Sequence, residues 1–322
     1  MVRLALLPLA AAAALFALDR VLVGSTGVWT WLARELPRRM DDPCLVEAML
    51  RSLPKGRANV LVLGNSRADE ILDLDRLEQR FARPQLRFHN LTVAGSGVVE
   101  YAMLSAPLAA LEPRAALLMI HASALRDVGW ADDTFAYDSA VALRIFTPAE
   151  FVASTGFQLD GLAGQLHVLA RHRSALQGAA LVWLGRTTFR EIQLERRRRI
   201  GADQRREGRA YAAWLAEAPG DPDNPNTRAL GVLAQRLGAA GVRLIVLEAP
   251  SNPLTAPPEV APRLAAFRTY LTARAAREGF SFVPVTRMPP LDDFKDRVHA
   301  SPAGRARYTE RIAAALAPEL GP

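Results

Sequence analysis

Two short segments at opposite ends of this 322-residue chain hold the residue types of a nucleophilic serine site. Gly64-Asn65-Ser66-Arg67 follows an apolar run, and Asp296-Arg297-Val298-His299 lies near the C-terminus. A serine hydroxyl is a weak nucleophile until a base takes its proton. The base works best when a third group fixes its tautomer and stabilises the imidazolium. Asp296 and His299 are three positions apart, a spacing that brings both onto one turn or helix face, so that a distant strand end has only to deliver Ser66.

The elements that must position these residues can be read from hydrophobic patterning. Residues 59–63 form a short apolar run ended by glycine, which suits a strand buried on both faces, and 68–81 has helix-compatible composition. Further strands are expected at 87–91, 115–120, 242–247 and 280–285, with helices at 227–237, 262–278 and 306–316. Strands alternating with helices imply an α/β fold in three layers, with about five parallel strands covered on both faces. Working residues in such sheets gather where loops leave the C-terminal strand ends. Ser66, the stretch from Asn90 to Gly97, His121-Ala122-Ser123, and Asp296 with His299 all fall at that edge.

Half of the residues are apolar, enough for a substantial core. We expect one catalytic unit over 59–322, with a helical insertion at about 126–226 between the third and fourth strands. The insertion opens with Trp130, Phe135 and Tyr137 and has a helix start at Pro148 to Glu150 after Thr147. It reads as a lid, an acceptor-binding surface or a packing appendage. Residues 24–58 read as a helical connector. The single Cys44 excludes an intrachain disulfide framework and a cysteine-based zinc motif. His89, His167 and His172 lack metal-ligand spacing with carboxylates, so neither a metal nor a cofactor is assigned.

Residues 1–23 point to export. After Met1-Val2-Arg3, an unbroken apolar run from Leu4 to Leu18 ends at Asp19-Arg20 and is followed by Val21-Leu22-Val23. An uncleaved membrane anchor is the reading adopted, with a cleaved signal peptide and a buried N-terminal helix as alternatives. Arg3 would keep the N-terminus cytoplasmic and place the remainder outside. That makes the chain a single-pass protein of the cell inner membrane with an extracytoplasmic catalytic domain. The formal charge of +7 and the run Arg196-Arg197-Arg198-Arg199 do not make a nucleic-acid binder, because Glu191, Glu195 and Glu207 intersperse the run and no aromatic residues interleave it. A solvated helix face is the plain reading, and attraction to anionic lipid or acidic envelope polymer is the functional one.

With these motifs in order, the chain resembles the SGNH (GDSL-like) hydrolases. Gly64-Asn65-Ser66 is similar to the family's nucleophile block, and Asp296-Arg297-Val298-His299, followed by Gly304, to its acid-base block. Asn90 with Gly95 is similar to the second block, whose glycine N–H is an oxyanion donor. The third block normally reads G-x-N-D and here holds His121 and Ser123, so the side-chain amide donor is missing, and the expected substitute is the Ser123 hydroxyl or a group that the sequence does not reveal. The resemblance implies a flavodoxin-like SGNH fold, Ser66 as nucleophile, His299 as base then acid, Asp296 as its orienting carboxylate, and an oxyanion hole from Ser66, Gly95 and Ser123. It covers about 59–120 and 242–316. The GNSR variant on an anchored chain looks most like the envelope branch. That branch includes the D-alanyl transfer protein of lipoteichoic acid synthesis and exopolysaccharide O-acetyltransferases, several of which act beside a membrane-bound O-acyltransferase.

Two functions are therefore expected. One is a membrane-anchored serine esterase or O-acyltransferase acting on acyl groups of envelope polysaccharide or glycolipid. The other is a non-catalytic SGNH-like assembly or binding factor for polysaccharide export. Plainer roles exist for each residue: Ser66 as a helix N-cap, His299 as a surface histidine, Asp296 as a solvated loop carboxylate with Asp292 and Asp293 as rivals, and His121 as a buried structural histidine. Arg67 is expected to pair at the surface with Asp69 or Glu70, with anion binding as the alternative.

Overall fold

The computed structural model describes residues 52–82, 85–93, 96–125, 139–150 and 223–321, apart from positions 254, 257, 288 and 297, together with residues 14, 17 and 50. The anchor over 1–23, most of the connector over 24–58, the arginine run and most of the insertion lie outside the described residues. Among the described residues no helix is long and apolar enough to cross a membrane.

Five parallel strands form one sheet: β1 (Asn59–Gly64), β2 (Arg87–Asn90), β3 (Ala115–Ile120), β4 (Arg243–Glu248) and β5 (Ser281–Val283), in the order β2-β1-β3-β4-β5. This is a doubly wound order, whose chain direction reverses at β1 and β3 and opens a crevice at their C-terminal ends. Both β1 and β3 are buried along their whole length, as expected of apolar runs covered on two faces.

Alternation sorts the side chains between two cores. Leu61 and Leu63 of β1 and Leu118 of β3 face one helical layer, made of α3 (Val98–Met103), α4 (Ser105–Ala110), α5 (Ser139–Ile145), α6 (Pro225–Ala239) and α7 (Ala261–Glu278). Val60 and Val62, with Leu117 and Met119, face α1 (Ser66–Ile71), α2 (Leu74–Arg80) and α8 (Pro302–Leu320). The period of two along each strand thus produces three layers.

Three boundaries differ from the sequence expectation for identifiable reasons. The helix expected over 68–81 is two helices, because the Asp73 side chain accepts the Arg76 N–H and caps α2. β5 ends at Val283, since Pro284 has no N–H to extend the ladder. α8 starts four residues early, with Ser301 accepting from the Gly304 N–H and Pro302 in its first turn. The helix start after Thr147 is present as a reciprocal box: Glu150 accepts the Thr147 N–H at 2.7 Å and Thr147 accepts the Glu150 N–H at 3.3 Å. Buried Asn224 caps α6 by accepting from the Thr227 N–H.

Candidate active site

The turn after β1 is determined by glycine. Gly64 has φ +140°, and a Cβ there would lie 2.8 Å from both Ala68 Cβ and the Met119 carbonyl oxygen. Its own carbonyl accepts from the Val93 N–H at 2.9 Å and the Tyr101 hydroxyl at 2.7 Å, and the Ser96 hydroxyl lies 3.1 Å from it and 2.8 Å from the Val93 carbonyl. The same Tyr101 hydroxyl lies 2.9 Å from the Leu91 carbonyl, so one buried donor ties together the ends of two strands. Asn65 then takes the capping position, its side chain accepting the Arg67 N–H at 3.1 Å. Ser66 is left as the first residue of α1, and its plain role as an N-cap belongs to Asn65 instead.

The second segment closes on itself. Oδ1 of Asp296 accepts the N–H groups of Val298 and His299, both at 2.8 Å, an arrangement short acidic side chains adopt readily in turns. Oδ2 lies 2.8 Å from His299 Nδ1. A carboxylate only accepts, so the Nδ1 proton is donated to it and Nε2 becomes the acceptor. That Nε2 lies 3.1 Å from Ser66 Oγ. An antiparallel bridge between Phe294 and Ala300, with Ser301 N–H donating to the Asp293 carbonyl at 2.7 Å, shuts the base of the loop. Burial raises the Asp296 pKa, but hydrogen bonds from the His299 ring and from the Val298 and His299 N–H groups outweigh it and hold the carboxyl well below its ordinary range.

The rival aspartates have other tasks. Asp293 is fully buried and pairs with Arg307, while the Asp292 carbonyl accepts the Ser301 hydroxyl. Close packing completes the support, for a Cβ on Gly304 would fall 2.1 Å from the Asp293 carbonyl oxygen.

Arg67 requires a correction. It is 8% exposed and so does not lie at the surface; Asp69 accepts from Asn90 and Glu70 from Lys295. Burial pulls the guanidinium down to about 10, with the Asp296 charge opposing the shift. Asn90 is a turn former: its Oδ1 accepts from the N–H of Thr92 at 3.0 Å and from its hydroxyl at 2.6 Å. Gly95 lies outside the described residues. Gly97, its neighbour in the second block, has its N–H engaged by Glu100 at 2.8 Å.

At the end of β3, His121 is buried, with Nδ1 2.9 Å from Ser123 Oγ and Nε2 2.8 Å from Ser251 Oγ. Burial, then the Arg67 charge, push its pKa well below the ordinary histidine value, so the ring is neutral. Sequence reasoning passed over Ser251 and also Asn252, whose Nδ2 donates to the Asp296 carbonyl at 2.8 Å. The signal for both was available: Ala249-Pro250-Ser251-Asn252-Pro253 is turn-forming and directly follows β4 at the same sheet edge. Among the described residues no group of His, Cys, Asp and Glu is gathered as metal ligands.

Asp296, His299 and Ser66 therefore form one hydrogen-bonded series, in which a base faces a hydroxyl and a carboxylate backs the base. No protein-family model matches the chain, and no curated protein does. Among solved structures it is similar to TesA, at 17% identity and TM-score 0.39, over 81% of this chain and 98% of that one. It is also similar to LAE5, described as an alpha/beta hydrolase enzyme from the metagenome of Lake Arreo, Spain, at 14% identity and TM-score 0.41, over 82% of this chain and 96% of that one.

Proposed function

We propose that the chain is a serine esterase or acyltransferase of SGNH type, working through an acyl-serine intermediate. The observation that carries this reading is the series Asp296–His299–Ser66 at the C-terminal edge of the sheet, with contacts of 2.8 and 3.1 Å. His299 Nε2 takes the hydroxyl proton as Ser66 Oγ bonds to the acyl carbonyl carbon. The oxyanion is met by the N–H groups of Ser66 and Gly95 and by the Ser123 hydroxyl. Collapse breaks the ester bond, and His299 returns its proton to the departing alcohol. Water, or a sugar hydroxyl, then takes the acyl group from Ser66 by the reverse sequence, regenerating the serine.

The substrate class in this proposal is an acylated glycan or glycolipid of the cell envelope. Its support is the resemblance of Gly64-Asn65-Ser66-Arg67 to the envelope branch, together with the apolar run over 4–18, which would anchor the domain outside the inner membrane. A membrane-bound O-acyltransferase is the partner that this resemblance implies.

A fluorophosphonate probe tests the chemistry. Wild type should be labelled and Ser66→Ala should not. Folded wild type that resists the probe would leave the non-catalytic assembly factor as the surviving reading. Incubating the acyl-enzyme with a polysaccharide acceptor, and following whether label appears on the glycan or as free acid, separates transfer from hydrolysis.

A further inference from the structure

The buried histidine at the end of β3 is a polar group that the proposed chemistry does not use. His121 is 3% exposed and Ser251 5%, while Ser123 is half-buried, so the series Ser251–His121–Ser123 runs from the interior to an open end. That end is on the loop leaving β3, the strand paired with β1 through Gly64 and Met119, and Ser66 leaves β1 two residues beyond that pairing. The donor roles in the series follow from one backbone contact. The Ser123 N–H lies 3.3 Å from His121 Nδ1, and an amide N–H can only donate. Nδ1 is therefore an acceptor, and the neutral ring carries its proton on Nε2, donating it to Ser251 Oγ at 2.8 Å.

This assignment leaves the Ser123 hydroxyl in an unusual position. At rest it donates to Nδ1 over 2.9 Å, yet Nδ1 also receives the amide of the same residue. Turning the hydroxyl toward a developing negative charge would not orphan a buried acceptor, so the exchange avoids the penalty that normally opposes it. An imidazolium would end this arrangement, since both its nitrogens donate and the Ser123 oxygen would be held as an acceptor. Burial and the nearby Arg67 charge keep that form away.

We propose that Ser251 and His121 are a positioning pair, which keeps residue 123 in place through its N–H while the Ser123 hydroxyl swings from Nδ1 to donate to the oxyanion in place of a side-chain amide. The inference rests on the acyl-serine reading above. Neither Ser251 nor His121 touches substrate; Ser251 fixes the ring's tautomer and orientation, and the ring anchors residue 123 by accepting its N–H.

A double-mutant cycle tests it, using p-nitrophenyl acetate turnover and the rate of fluorophosphonate labelling on the full chain. Ser251→Ala should lower kcat by up to about 100-fold with KM little changed, as misplacement of a reacting group does. In a Ser123→Ala background the same substitution should cost almost nothing further, because the group it positions is gone. Ser251→Thr should restore most of the loss. A serine that merely supported the fold would cost the same in both backgrounds. Labelled wild type in which the two losses multiply, or Ser251→Ala with wild-type kcat, overturns this inference alone. Wild type that takes no label overturns it together with the acyl-serine reading. Where Ser251→Ala does not fold, Ser251→Cys, similar in size with a weaker acceptor, carries the same cycle.

Discussion

The loop carrying Asp296 and His299 and the loop carrying His121 and Ser123 are built on opposite plans. In the first, the carboxylate gathers a ring nitrogen and two N–H groups from residues two and three positions away, and the aspartate stays exposed to solvent. In the second, the ring is buried and closed by a serine 130 residues distant. A local closure tolerates water because each partner is delivered by the turn itself. A distant closure exists only when the sheet has brought β3 and β4 side by side, and its polar atoms depend on one another once water is excluded. The first loop is thus suited to exchanging protons and the second to holding a fixed dipole.

The contrast is broken most severely at the histidine facing Ser66. His299→Gln should reduce the fluorophosphonate labelling rate by on the order of 10⁴-fold or more, with the fold retained by circular dichroism. Asp296→Asn comes next, at about 10⁴-fold, because an amide presents the wrong partner to Nδ1; turnover near wild type would show that the local closure is not the acid of the site. On the distant loop, Ser123→Ala should cost about 100-fold in kcat, the lower end for removing one oxyanion donor. Gly304→Ala attacks the support of the first loop and should lower stability by about 1–3 kcal/mol in urea denaturation, as overpacking does.

The smallest effect sharpens the comparison through pH. His121 is held neutral with a folded pKa well below 6.5. As pH falls through about 6.5 the unfolded chain takes a proton there that the folded chain refuses, so stability declines on the acid side by up to about 1.4 kcal/mol per pH unit. His121→Gln should flatten that slope between pH 6.5 and the folded pKa. Asp296 follows the same sign in a lower window: its carboxyl is depressed in the folded state, so its contribution is complete above its ordinary value of 3.8 and is lost as pH falls below it.

What the sequence disclosed follows the same division. The spacing of Asp296 and His299 was sufficient to foresee their contact, because both ends of it lie within one turn. The strands were legible from their apolar runs, and β3 was read with its observed bounds. Arg67 was expected at the surface and is buried, near enough to Asp296 and His121 for the charges to act on one another. Ser251 and Asn252 were overlooked for a related reason: nothing beside them in the chain reveals that His121 and the Asp296 carbonyl are their partners. Side-chain contacts that cross from one strand to the next are set by register, which no local pattern encodes.

The contacts converging on the Gly64 carbonyl have a thermodynamic consequence for the proposed chemistry. A serine mounted on so constrained a strand end has little conformational freedom left to surrender when an acyl group arrives. In the proposed acyl-serine chemistry the ordering entropy of Ser66 would be met once, during folding, and would not recur with each molecule of substrate. Loosening this clamp, by Tyr101→Phe for instance, would therefore register as a more negative activation entropy, even with Ser66, His299 and Asp296 all in place.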